Sequence, residues 1–173
     1  MQLKANNKMK NTNITLENLT GLWRNLLIAF VITLSFGYGT GMYYLTLTSG
    51  IETQSIEENY LGNEADEAAL EMKFKKPEKE VVSIIHSHVI SFSLIFLSIG
   101  GLFLLTSYSA RLKSFLVIEP FVSILLTFGG IWLMWQGVSW MKYVIIISGT
   151  LMNLAYMLMA GLVLLALFKP RVK

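Results

Sequence analysis

Val81 to Leu105 reads VVSIIHSHVISFSLIFLSIGGLFLL. It contains no Asp, Glu, Lys or Arg and is long enough to cross a bilayer as a helix. It also holds the only two histidines of the chain, His86 and His88, near its N-terminal end. An ionisable side chain inside a span is costly, so a histidine there is a functional candidate by default.

The rest of the chain follows the same pattern. Of 173 residues, 54% are hydrophobic and 14% charged, where soluble domains carry roughly 25% charged residues. The charges cluster between long apolar runs, which predicts a multi-pass membrane protein. The reading is all-α, an integral membrane four-helix bundle with one extracytoplasmic loop between its first and second helices. Its expected parts are a tail over 1–21, spans over 22–47, 81–106, 114–135 and 141–168, an acidic loop over 48–80 and a tail over 169–173. The apolar run that opens at Leu22 is too long for a signal peptide and no A-x-A site follows, so it is read as a retained helix. The absence of cysteine excludes thiolate metal sites and disulfides. The basic residues flank spans, so the net charge of +3 implies no nucleic-acid partner.

The loop carries nine of the eleven acidic residues and four lysines. Ile51, Ile56 and Tyr60 suggest a short amphipathic helix ended by Gly62-Asn63, with a second short helix over 64–72. Pro77 suits the first turn of the second spanning helix. Ile14, Leu16, Leu19 and Leu22 suit the membrane surface ahead of the first span. The N-terminal tail, the 106–113 turn and the C-terminal tail are basic, with Lys142 dissenting at the opposite end. Both termini are therefore expected in the cytoplasm, with the host a bacterium and the membrane its inner (plasma) membrane. Trp132, Trp135 and Trp140 would form an aromatic belt at the outer interface.

Each span has a stripe of small or polar residues, expected to face inward. The first carries Gly37 and Gly41 with Thr33 and Tyr44. The second carries Ser87, Ser91, Ser98 and Gly101. The third carries Glu119, Ser123, Thr127, Gly130 and Met134. The fourth carries Gly149, Asn153, Tyr156 and Ala160.

His86 and His88 lie about 200° apart around a helix, so one helix cannot aim both at a single ion. The stripe centre favours His88 as the inward one. For a haem b the candidate residues are His88, His86, Met134 and Tyr44, with a histidine of a partner copy as another second ligand. For a copper or zinc ion they are His86, His88 and Met42. Interfacial histidines bonded to serine, tyrosine or backbone are the competing reading. Glu119 sits about one and a half turns into the third span, where Pro120 frees the carbonyl of Leu116. It suits a proton or quinone contact, a transport path, or a carboxylate snorkelling or paired with Arg111. Asn153 suits interhelical bonding. No triad, Walker loop or dinucleotide fingerprint is present, so a hydrolase or nucleotide enzyme has little support.

SIEENYLGN, a Lys/Phe/Pro segment and HSHVISFSLIFLSIGGLF together resemble an uncharacterised family of small four-span bacterial inner-membrane proteins with an H-x-H at the head of the second helix. The resemblance covers roughly residues 37–163. It implies the topology and a grouping of Tyr60, Gly62, His86 and His88, and it brings no activity. The functional expectations are a haem- or metal-binding accessory of periplasm-facing electron transfer, a non-catalytic assembly or interaction subunit, and a small transporter with Glu119 in its path. The expected partners are the lipid bilayer and a homodimer or larger membrane complex.

Overall fold

The computed structural model describes residues 15–19, 21–48, 53–64 and 71–169. A 3-10 turn at Leu16–Asn18 precedes α1 (Gly21–Thr48), α2 (Thr53–Leu61), α3 (Glu78–Leu104), α4 (Ala110–Trp135) and α5 (Met141–Phe168). Among the described residues there is no strand. α1, α3, α4 and α5 are each long and apolar enough to cross a membrane. They run alternately up and down, giving the bundle a loop end, where α2 lies, and a tail end. Ile14, Ile51 and residues 65–70 lie outside the described residues. Glu64, Glu71 and Met72 are described and are not helical.

Local chemistry sets the helix ends. Pro77 is the N-cap of α3, with Glu78 and Glu80 in the first turn, where carboxylates suit the helix dipole. At the tail end Lys113 donates from Nζ to the carbonyls of Leu104 (2.9 Å) and Thr106, satisfying oxygens that the end of α3 leaves free. α4 begins at Ala110, ahead of the apolar run at Ser114, because Ser109 Oγ caps it by accepting from the Leu112 amide. Its far end closes in a Schellman motif. Val138 N donates to Leu133 O and Gly137 N to Met134 O, with Gly137 at φ 107°.

The body is formed by α3, α4 and α5. Thr127 and Ser148 share a hydrogen bond of 2.7 Å across the α4–α5 seam. One turn away, a Cβ on Gly130 would stand 3.0 Å from Ile145 Cγ1, so only glycine admits this approach without displacement. α3 presents Phe96, Ile99, Gly100 and Phe103, all buried.

The polar stripes divide. Those of α4 and α5 turn inward: Ser123, Thr127, Gly130, Met134, Tyr156 and Ala160 are buried. Those of α1 and α3 correct the expectation. Thr33, Gly37, Gly41 and Tyr44 are exposed, as are Ser87, Ser91, Ser98 and Gly101. Nothing lies within 4 Å of a Cβ built on Gly37 or Gly41. The reason on α3 is local. Ser87 donates to Ile84 O and Ser98 to Leu94 O, so these hydroxyls are satisfied by their own helix and need no neighbour. The larger aromatic face supplies the packing instead.

α1 buries only Val31 and Tyr38. The segment before it also differs from expectation. Leu16 is buried rather than spread on the membrane surface, and its amide donates to Leu105 O at 2.9 Å. Glu17 Oε1 accepts from the Ser107 amide at 2.9 Å. Burial opposes the Glu17 charge, but the amides of Glu17 and Ser107 outweigh it and hold the carboxyl below its usual range.

Candidate functional site

The two histidines occupy different surroundings. Both are exposed. His88 nevertheless borders the α3–α4 seam, its ring 5.4 Å from Phe128 and 6.0 Å from Phe92. Its Nδ1 lies 2.8 Å from Ile84 O. Donation to that carbonyl fixes the tautomer and leaves Nε2 as the acceptor, the arrangement a ligating histidine ordinarily has. Met134, in contrast, is wholly buried. Because Phe128 is the residue opposite His88, Met134 lies about 9 Å further along α4, six residues at 1.5 Å. The structure does not bring this pair together. Tyr44 is 67% exposed on α1, and Met42 is half-buried against the core. No group of three His, Cys, Asp or Glu among the described residues could hold a metal ion.

What the helices do bring together, deep in the bundle, is an aromatic and amide cluster. Tyr38 of α1 stacks on Tyr156 of α5, centroids 3.8 Å apart and planes at 6°. Its hydroxyl donates to Asn153 Oδ1 at 2.6 Å, and Asn153 Nδ2 donates to Gly149 O at 2.8 Å. Ser35 Oγ and Tyr156 OH are 3.2 Å apart. Phe92 and Phe96 meet the tyrosine pair edge-on. Asn153 therefore bonds across helices, with Tyr38 as its partner. The sequence signal for Tyr38 was available: it is a tyrosine within the first span, at the level of a polar residue on the last.

At the loop end, α2 lies over α4 and α5. Lys142, the residue that dissented from the charge pattern, is paired with Glu57 at 2.6 Å. Trp135 Nε1 donates to Lys76 O at 2.8 Å, and Lys75 Nζ lies 4.7 Å over the Trp135 ring. Trp132 stacks on Trp135. Trp135 thus clamps the loop, with Trp132 stacked against it. Gly62, at φ 81°, turns the chain so that Asn63 exchanges hydrogen bonds with Lys73. Lys76 N donates to Tyr60 O at 3.1 Å. Burial, with the Glu80 charge beside it, pushes the Tyr60 hydroxyl up to about 12. Tyr60 and Gly62 belong to this clamp, and no hydrogen bond or ring contact among the described residues joins them to His86 or His88.

Glu119 is half-buried on α4. Its Oε1 accepts from Ser123 Oγ, one turn on, while Oε2 is buried without a partner. Among the described residues it has no ion pair, so the expected pairing with Arg111 is not formed.

Four apolar spanning helices packed through an aromatic and amide core define an all-helical, multi-pass membrane protein. A family model, Aq_1264_TM, described as a transmembrane helical domain, matches residues 50–173, and the chain belongs to that family. The matched residues hold the loop, α2 and the three-helix body, and α1 lies outside them. No curated protein and no solved structure matches the chain.

Proposed function

We propose that this protein is a non-catalytic interaction subunit of a membrane complex, in which the uncovered small-residue faces of α1 and α3 receive helices of another chain. The observation that carries this reading is the open glycine face. Gly37 and Gly41 lie on a span that buries two side chains and touches nothing on that side. Small residues let helix backbones approach closely, and lipid tails gain little from them. We also propose that the loop end is periplasmic and both termini cytoplasmic in a bacterial inner membrane. The charge asymmetry supports this, and the one dissenting lysine, Lys142, is matched by Glu57. The chain has no native cysteine, so single substitutions report cleanly. Gly37→Cys and Gly41→Cys in native membranes should give oxidative or bifunctional cross-links to another chain, and Phe36→Cys should give far fewer. Equal yields at all three positions, or no product at any, would sink the proposal.

A second reading is a haem site at His88, supported by the free Nε2 opposite an Nδ1 bonded to backbone. It requires a ligand from a second copy. A Soret band in the gently purified protein that is absent from His88→Ala supports it. A colourless protein without iron, copper or zinc removes it.

A further inference from the structure

Along its bilayer side the α4–α5 seam opens in a groove of about 550 Å³, within the range of roughly 300–1,000 Å³ typical of small-molecule sites. Its walls are apolar, with Phe115, Ile118 and Val122 from α4 in its tail-end part and Leu151 and Ile147 from α5 continuing it towards the loop end. One ionisable group lines it, Glu119. That carboxyl has one oxygen on Ser123 and the other without a donor, and no cation of the described residues pairs with it. Phe115 lies one turn earlier on the same face of α4 and is 62% exposed, its ring available to a positive charge.

Depth narrows the occupant. Glu119 lies about 13 Å along α4 from Ala110, and α4 is about 39 Å long against roughly 30 Å of hydrocarbon, which sets the carboxyl about 9 Å below the nearer interface. A phospholipid headgroup stays above that level, and its acyl chain carries no positive charge. A bare metal cation would need more oxygen ligands than Glu119 and Ser123 provide. We infer that the Glu119 part of this groove binds a lipophilic organic cation, its positive centre between the Glu119 carboxylate and the Phe115 ring and its apolar substituents against Ile118 and Val122. Charge complementarity and the apolar walls are each met by that chemistry, and together only by it.

The probe is tritiated tetraphenylphosphonium, bound to the full chain in detergent and read by scintillation proximity. Triphenylphosphine oxide, of similar bulk and no net charge, is the competitor. Binding should saturate at one per chain, weaken about tenfold or more in Glu119→Gln, and resist triphenylphosphine oxide. Val122→Trp, on the exposed wall one turn from Glu119, should also abolish it by filling the groove, while Trp140→Ala, outside the groove, should leave it unchanged. If Glu119→Gln does not fold, Val122→Trp decides. Binding that never saturates, that persists in Glu119→Gln and Val122→Trp, or that triphenylphosphine oxide displaces equally well overturns the inference.

Discussion

Tyr38 and Asn153 are 115 residues apart in sequence and joined by a 2.6 Å hydrogen bond. The bond ties α1 to the body, and the Tyr38–Tyr156 stack beside it supplies the packing. The remaining faces of α1 have little protein to hold.

Removing the hydroxyl should therefore loosen α1 without melting α3–α5. Tyr38→Phe should cost about 0.6 kcal/mol, the average for hydrogen bonds between spanning helices. Tyr38→Ala should cost more because the stack is lost too. A reporter cysteine at Val31, wholly buried in the native chain, measures this. Maleimide labelling of Val31→Cys should accelerate slightly with Tyr38→Phe and several-fold with Tyr38→Ala. Unchanged labelling in both would show that α1 is held elsewhere.

The loop clamp turns on Gly62. A Cβ there would stand 2.7 Å from both Lys73 O and Lys75 N, on a backbone at φ 81°. Gly62→Ala should cost at least about 1–3 kcal/mol of local stability and undock the 71–76 segment. Trypsin cleavage at Lys73 or Lys75 reads it directly and should become markedly faster. Lys142→Met should produce a milder version by removing the partner of Glu57.

Tyr60 makes the same clamp sensitive to alkali. A tyrosine hydroxyl ordinarily titrates near 10, and in the folded protein it is raised to about 12 by burial and by Glu80. The folded state thus favours the neutral form. That contribution is fully present below pH 10 and is lost as pH rises from about 10 to about 12. Tyrosinate absorbance should show one late-titrating group outside the spans, coincident with faster proteolysis of the loop. Tyr60→Phe should abolish the late step and shift the onset of loop cleavage.

The α4–α5 seam offers a paired comparison. Gly130 faces Ile145, whereas a Cβ on neighbouring Gly129 meets nothing within 4 Å. Gly130→Leu should cost about 1–3 kcal/mol by overpacking, seen as a lower thermal midpoint in detergent. Gly129→Leu should leave the midpoint nearly unchanged. Equal effects would mean that the close approach at Ile145 is not what fixes the seam.

The four spans were legible because each is a continuous apolar run bounded by charge, a signal that needs no knowledge of neighbours. The inward faces of α4 and α5 were legible for a related reason: Thr127, Asn153 and Tyr156 cannot face lipid without finding partners. The same logic failed on α3, where Ser87 and Ser98 found partners one turn back on their own helix. Small polar residues in a span are thus ambiguous, since backbone return bonds and interhelical bonds satisfy them equally well. Side-chain size was the better guide, as the buried face of α3 is its Phe96, Ile99 and Phe103 face. Glu57 with Lys142 and Trp135 with Lys76 were not legible, because both depend on how a loop folds back over helix ends. The local charge pattern marked Lys142 only as an anomaly.

The bond from Leu16 to Leu105 carries an implication for biosynthesis. A chain threaded into the bilayer from its N-terminus releases α1 first, yet the acceptor for Leu16 is made some ninety residues later. Until then the opening helix has neither its tail-end anchor nor Asn153, and it must reside in lipid alone or in the care of the insertion machinery. The order of synthesis thus runs opposite to the order of attachment, and α1 is the last element to be locked in place.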